Sequence, residues 1–313
     1  MPQKIAVVCG PTACGKTALA VELALALDGE VVSADSMQVY RGLDIGTAKP
    51  TEAEKKGVPH HMLDVADPSE DYSVARYVMD AVPVVDDILK RGKLPIVAGG
   101  TGLYIDALIA GREFAPFVPD SGLREELERR AETEGLPALH AGLARADPEA
   151  AARVHPNDAK RIIRALEVFL STGRTISEHN RQTKALPPRY EAVKLGLRFA
   201  DRARMRARID RRAEEMFAQG LAGEVKTLSA ALPPDCTAMQ AIGYKELSAA
   251  LREGRSLEEA RAEIQLRTRQ YAKRQLTWFR RDKSICWYEW GETPNISDAL
   301  RFSTKYLMEH GIR

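Results

Sequence analysis

The octapeptide GPTACGKT at Gly10–Thr17 constrains the fold more than any other stretch. It has the G-x-x-x-x-G-K-[ST] spacing of a phosphate-binding loop, which works only between a buried strand and the first turn of a helix. In that setting backbone N–H groups and the positive helix end surround phosphate oxygens. The flanks supply the setting. KIAVVC, Lys4 to Cys9, is an apolar run suited to a buried strand, and Thr17 to Leu27 repeats Leu19, Leu23 and Leu27 at helical spacing. The motif predicts Gly10, Pro11, Thr12, Ala13, Cys14 and Gly15 as the cradle, Lys16 on a terminal phosphate and the Thr17 hydroxyl on Mg²⁺. It does not say which phosphate ester is held.

The same alternation continues. EVVSAD is a second strand, Ser73 to Arg91 a helix expected to kink at Pro83, and LPIVAGG a buried strand ending in glycines. Strands separated by helices predict an α/β fold with a doubly wound parallel sheet, whose ligands sit at the C-terminal strand ends. Three such ends carry polar residues: the phosphate loop, Asp35-Ser36-Met37-Gln38, and Gly99-Gly100-Thr101-Gly102. From Pro119 to Pro188, Ala, Glu, Arg and Leu dominate and strand-like runs vanish. This predicts a helical insertion over 119–188, dividing the core into 1–118 and 189–313. YEAVKLGLRFA returns to the sheet, helices follow, then a short strand SICWYEW and a last helix.

The second strand narrows the chemistry. A nucleoside triphosphatase needs an apolar strand ending in an Asp that supports Mg²⁺. LPIVAGG ends without a carboxylate, whereas Asp35 ends EVVSAD. Asp35 is therefore a metal support, a base aimed at a nucleophile beside the phosphates, or a turn residue. No N-K-x-D guanine-reading segment is present. The loop reads as a diphosphate grip with no hydrolysis attached.

Lys+Arg of 46 against Asp+Glu of 44 leaves a net charge of +2, so any nucleic-acid signal must be local. Three basic segments supply one. In PNDAKRIIRALEVFL, Ile162, Ile163, Leu166, Phe169 and Leu170 form an apolar face, with Lys160, Arg161 and Arg164 near the helix start. DRARMRARIDRR gathers Arg202, Arg204, Arg206, Arg208, Arg211 and Arg212. The capping box Ser256–Glu259 opens a helix to about Arg281, with Leu257, Ile264, Tyr271 and Trp278 as an expected core stripe beside Arg267, Arg274 and Arg281. Together they predict an RNA-binding surface. Gln240 to Lys245, QAIGYK, offers polar and aromatic groups around a glycine for touching unstacked bases. No run approaches the ~18 apolar residues of a membrane span. The N-terminus has no signal-peptide layout, and Cys9, Cys14, Cys236 and Cys286 form no C-x-x-C pair. A cytosolic protein without zinc or disulfides is expected, and His60-His61 has no further ligand at metal spacing.

GPTACGKT, SADSMQVYRGLDIGTAKP, GGTGLY, HPNDAKRIIRALEV, AIGYKE and AKRQLTWFR resemble, in order and over nearly the whole chain, the bacterial tRNA dimethylallyltransferases, also called tRNA isopentenyltransferases. The resemblance implies a P-loop kinase-like core with a helical insertion. It implies transfer of a dimethylallyl group from dimethylallyl diphosphate to N6 of the adenosine at tRNA position 37, immediately 3′ of the anticodon. Asp35 would take the N6 proton; Lys16, Thr17 with Mg²⁺, and Arg208 would stabilise the departing diphosphate. Thr101 and Gln38 would contact the adenosine, with Ser36 and Met37 beside them. Arg124, the segment Lys160-Arg161-Ile162-Ile163-Arg164 and the segment Gln240-Ala241-Ile242-Gly243-Tyr244-Lys245 would touch the tRNA anticodon stem-loop. Cys14 stands where Ser or Ala is more usual in the family, which makes it a candidate for inhibitory oxidation. The chain ends without the zinc-finger extension of some eukaryotic relatives, so a bacterial-type enzyme is expected. One site complete within the chain predicts a monomer with no membrane partner. The competing readings are a prenyltransferase for free adenine nucleotides and a P-loop small-molecule kinase.

Overall fold

The computed structural model describes residues 2–111, 121–291 and 294–312. The chain divides into two compact units, Met1–Gly111 with Pro188–Arg313, and Arg112–Pro187. The boundary expected between residues 118 and 119 falls on 112–120, outside the described residues.

The first unit begins β1 (Gln3–Cys9), α1 (Lys16–Ala26), β2 (Gly29–Ser33), α2 (Glu52–Lys55), β3 (His60–His61), α3 (Val74–Lys90), β4 (Leu94–Gly99) and α4 (Gly102–Ala110). The second unit holds α5 (Ser121–Thr133), α6 (Leu136–Ala146), α7 (Pro148–Arg153), α8 (Ala159–Thr172) and α9 (Ile176–Ala185). The first unit resumes with β5 (Tyr190–Phe199), α10 (Arg202–Ala218), α11 (Leu221–Ala231), α12 (Tyr244–Glu253), α13 (Leu257–Phe279), β6 (Cys286–Trp290) and α14 (Ile296–Glu309).

The sheet is six-stranded and parallel in the order β3-β2-β4-β1-β5-β6, the α/β fold that the alternation predicts. Its central strands are apolar without interruption because helices cover both faces; Ile5, Val7, Val8, Ile96 and Val97 have no exposed surface. Register then positions the site. Cys9 lies opposite Gly99 on one side and Gly196 on the other, and Ser33 lies opposite Ala98. The three polar strand ends therefore emerge along one edge. Gly10 leaves that edge with φ +143°, and a Cβ there would sit 2.4 Å from the Leu197 carbonyl oxygen, so only glycine fits.

Pro83 lies within one helix, Val74–Lys90. Two further points go beyond the sequence reading. On α13, Ile264 is buried, but Leu257 and Trp278 are 46% and 39% exposed; the buried residues are Ala260, Ile264, Ala272, Gln275 and Phe279. A straight helix rotates about 20° per seven residues, so a strict heptad stripe drifts off the core face. The His60-His61 pair, unassigned in the sequence, forms edge strand β3. There His61 Nε2 lies 2.8 Å from Glu30 Oε2, which also accepts Arg91 Nη2–H at 2.8 Å.

The helical unit has its own core of Leu127, Leu139, Leu143, Ile162, Ile163 and Leu166. Asp147 organises it: Oδ1 accepts the Ala150 N–H and Oδ2 the Ser177 N–H.

Candidate active site

The phosphate loop is held by side chains from far along the chain. Gln275, buried on α13, accepts the Thr12 N–H through Oε1 (2.8 Å) and donates through Nε2 to the Gly100 carbonyl (3.0 Å). Arg208 Nε donates to the Ala13 carbonyl (3.0 Å), and Trp290 Nε1 donates to the Cys14 carbonyl (2.7 Å). These bonds fix a backbone in which Ala13 and Gly15 take φ +62° and +89°, a sequence of turns that faces amide groups inward. Lys16 Nζ donates to the Pro11 carbonyl (2.8 Å), which keeps the ammonium over the loop, and the Thr17 side chain is exposed on the first turn of α1. Gln275 and Trp290 were not anticipated as loop partners. Gln275 does lie within AKRQLTWFR, one of the segments that carried the resemblance.

Cys14 is buried, and burial pushes its thiol pKa up, with Lys16 acting against that shift. A protonated, enclosed thiol is a poor target for oxidants, which weighs against inhibitory oxidation at this position.

Asp35 follows β2 and closes a turn on itself: Oδ1 accepts the N–H groups of Met37 (2.9 Å) and Gln38 (3.3 Å). It is a turn residue, as one of the three sequence readings allowed, but among the described residues this leaves Oδ2 without a hydrogen bond. Thr101 Oγ1 accepts the Ser36 N–H at 3.2 Å, joining the ends of β2 and β4. Tyr271 stands against Thr101 and Gln275; burial, with the Asp35 charge, pushes its phenol up to about 12, so it stays a neutral donor.

Gln38 Nε2 donates to the Thr47 and Ala48 carbonyls (3.2 Å each) and its Oε1 accepts from Ser33 Oγ (3.2 Å). These bonds brace the 44–48 loop. Glu224 braces the same loop, accepting the N–H groups of Asp44, Ile45 and Gly46 and the Tyr244 hydroxyl. Tyr244 and Ala241, expected as RNA contacts, are buried, while Lys245 is exposed.

These pieces enclose a cavity of about 280 Å³. Thr12 and Ala13 of the phosphate loop, Asp35, Ser36 and Met37, and Gln240 to Gly243 all line it. Arg212 and Arg274 add positive charge, and Ile209, Met216 and Ile264 supply apolar wall. Burial works against the charge on Arg212, and Asp35 is the strongest of the charges favouring it. The arrangement places a phosphate grip, a carboxylate and two guanidinium groups around one space large enough for a small reacting group.

In the helical unit, Asp158 caps α8 through the Arg161 N–H, and Lys160, Arg161 and Arg164 are exposed around that helix start. Arg161 pairs with Asp158 (3.4 Å) and Arg164 with Glu167 (3.0 Å), whose side chain is fully buried. Ile162 and Ile163 are core residues of this unit, so their side chains do not reach a ligand. Arg124 is exposed and pairs with Glu128 (3.3 Å).

The sequence matches the family model described as IPP transferase over residues 38–282, and one described as Isopentenyl transferase over residues 3–70. It is 51% identical over 288 residues to a tRNA dimethylallyltransferase of Geobacter sulfurreducens, covering 92% of each chain. To that of Acetivibrio thermocellus it is 44% identical over 309 residues, 98% of each. Among solved structures, a full-length tRNA isopentenylpyrophosphate transferase from Bacillus halodurans superposes with a TM-score of 0.72 at 42% identity, over 98% of this chain and 97% of that one. A eukaryotic dimethylallyltransferase captured acting on tRNA superposes with a TM-score of 0.83 at 30% identity, over 98% of this chain and 80% of that one.

Proposed function

This chain belongs to the IPP transferase family, and on that premise we propose that it transfers a dimethylallyl group from dimethylallyl diphosphate to N6 of the adenosine at tRNA position 37. The observation that carries the reading is that Asp35 and the phosphate-loop residues Thr12 and Ala13 line one cavity. A base there faces the carbon attached to the diphosphate that the loop grips.

The adenine amine is a weak nucleophile because its lone pair is delocalised into the ring. Asp35 meets that difficulty. With Oδ1 held by two backbone N–H groups, Oδ2 accepts a hydrogen bond from N6 and then its proton, a role typically contributing ~10²–10⁴-fold. As the N6–C1 bond forms, the C1–O bond breaks and its electron pair leaves on the diphosphate. Loop amide groups and Lys16 stabilise that growing charge, and Arg208 holds the Ala13 carbonyl so that the loop keeps its shape. Thr101 and Ser36 shape the adenosine side, with Met37 beside them.

Mg²⁺ fits the donors present. Among the described residues no three His, Cys, Asp or Glu side chains gather to form a cage, while Thr17 offers an exposed hydroxyl beside the loop. Mg²⁺ takes few protein ligands and completes its shell with water and phosphate. Bound at Thr17, it supplies charge neutralisation on the diphosphate.

The adenosine must leave its stack to reach Asp35, which costs a few kcal/mol and least in a loop, so an anticodon stem-loop suits the site. Arg124, Lys160, Arg161 and Arg164 on the helical unit and Lys245 near the cavity are the tRNA phosphate contacts in this reading; Gln240, Ile242 and Gly243 meet the loop nucleotides. Among the described residues no helix is long and apolar enough to cross a membrane. With tRNA as substrate the protein works in the cytoplasm, and as a monomer, since one chain supplies every group named.

The test is incubation with dimethylallyl diphosphate, Mg²⁺ and unmodified tRNA, followed by digestion. N6-dimethylallyladenosine next to the anticodon is the expected product. Modification of free AMP in preference to tRNA would overturn the proposal.

A further inference from the structure

Resting on the transfer reaction above, we propose that Glu224 is a positioning residue for it. Glu224 knots together two walls of the cavity and, through the 44–48 loop and Gln38, sets the aim of Asp35.

Glu224 stands in the first turn of α11. Its Oε2 accepts the N–H groups of Asp44 (3.1 Å) and Ile45 (2.8 Å), and its Oε1 accepts the Gly46 N–H (3.1 Å) and the Tyr244 hydroxyl. Three successive backbone amides thus close on one carboxylate from a helix far along the chain. Hydrogen bonds to an ionised acceptor are roughly twice as strong as neutral ones. The loop so held is strained. Ala48 takes φ +47°, a left-handed conformation that a residue with a Cβ rarely adopts and that persists only where its surroundings enforce it. Packing on the Tyr244 side is equally close. A Cβ on Gly46 would lie 2.4 Å from the ring of Tyr244, which is fully buried.

Both partners of Glu224 lead into the cavity. Gly46 and Thr47 line it, and so do Gln240 to Gly243, the segment that runs into Tyr244 at the start of α12. The same loop reaches the base. Its Thr47 and Ala48 carbonyls accept from Gln38 Nε2, and the Gln38 backbone N–H donates to Asp35 Oδ1. A displacement of the loop therefore passes to Gln38 and on to the carboxylate, whose Oδ1 is held by that N–H and by the N–H of Met37. The phosphate loop is tied separately, by Gln275, Arg208 and Trp290. Glu224 thus bears on the base and the cavity wall, and not on the diphosphate grip.

In the transfer step N6 bonds to C1, the C1–O electron pair departs on diphosphate, and the N6 proton passes to Asp35. Glu224 exchanges no proton and meets neither substrate. Its contribution is the distance and angle at which Asp35 Oδ2 meets N6, where a misplacement of about 1 Å can cost about 10²-fold in rate.

The experiment compares wild type with Glu224→Gln, Gly46→Ala and the double variant, reading single-turnover transfer to tRNA and the binding of inorganic diphosphate with Mg²⁺ by calorimetry. Glu224→Gln keeps one oxygen for Asp44 and Ile45 but turns an NH₂ group toward the Gly46 N–H, which releases that side of the loop. Its single-turnover rate is expected to fall about 10- to 100-fold with diphosphate affinity unchanged. Gly46→Ala pushes the same loop off the Tyr244 ring and should slow transfer comparably. The double variant should be no slower than the slower single one, because both act through one displacement. If Glu224→Gln loses its thermal transition, Gly46→Ala carries the test alone. A wild-type transfer rate in either folded variant overturns the assignment and leaves Glu224 a brace for stability only. A loss of diphosphate affinity equal to the loss of rate also overturns it, as do losses that multiply in the double variant. A wild-type protein that fails to prenylate tRNA would instead overturn the reaction on which the assignment rests.

Discussion

Gln275 accepts the Thr12 backbone N–H at 2.8 Å across 263 residues of sequence. Its other end donates to the Gly100 carbonyl, so one buried amide joins the phosphate loop to the end of β4. Gln275→Leu keeps the volume and removes both bonds. Each buried backbone group left unpaired costs about 1–3 kcal/mol. The expected outcome is a lower melting temperature together with a raised KM for dimethylallyl diphosphate, measured by calorimetry and steady-state transfer. A variant with wild-type KM would show that the loop holds its shape without this tie.

Asp35 has two separable roles. Asn at this position retains an oxygen for the Met37 and Gln38 N–H groups but is no base, whereas Ala loses both functions. Turnover should fall about 10²–10⁴-fold in Asp35→Asn and Asp35→Ala alike. Only Asp35→Ala should also melt earlier, and tRNA affinity should stay nearly constant in both. Retained turnover in Asp35→Asn would assign the residue to the turn alone.

For the helical unit, the choice of variant follows from Glu167. Removing Arg164 strands a buried carboxylate, so Arg164→Ala mixes a folding defect with any loss of RNA contact. Lys160→Ala with Arg161→Ala avoids this, since Lys160 is exposed and Arg161 is 73% exposed. The pair should weaken tRNA binding and flatten its salt dependence by up to about 0.7 log unit per lost phosphate contact if the strand is single. A wild-type slope in fluorescence titrations would remove this helix start from the RNA interface.

Glu30 governs acid stability at the sheet edge. Hydrogen bonds from Arg91, with burial opposing and His61 assisting, hold its carboxyl down to about 2 from an ordinary 4.5. A lowered folded-state value stabilises the protein above the ordinary value, and that stability is lost as pH falls through the folded one. The loss from this group is expected between about pH 4.5 and 2. Arg91→Gln should move the acid-unfolding midpoint, followed by circular dichroism, to higher pH. It should also lower neutral-pH stability by about 1–3 kcal/mol, less than for a fully enclosed pair because Arg91 is 39% exposed.

The elements readable from sequence were those whose signal is local. KIAVVC and LPIVAGG announce buried parallel strands because both their faces must be apolar, and GPTACGKT carries its own turn chemistry. Asp35 was readable because it ends such a strand. The partners of the loop were not. Gln275, Trp290 and Arg212 reach it only through tertiary packing, and nothing in their immediate neighbours marks that destination. The bonds of Gln38 were hidden in the same way: its acceptors, Thr47 and Ala48, lie on a loop whose return path only the fold defines. The heptad stripe on α13 failed because seven residues fall slightly short of two helical turns.

The ties to Arg208, Gln275 and Trp290 also impose an order on biosynthesis. The phosphate loop leaves the ribosome first, yet the indole that fastens Cys14 is 276 residues downstream. At about 5–20 residues per second, roughly 14–55 s separate the two. Through that interval the nascent chain carries the motif without the structure that gives it meaning. Messages truncated before Trp290 should therefore yield products that do not retain the donor diphosphate, and the last strand acts as a completion check on the first loop.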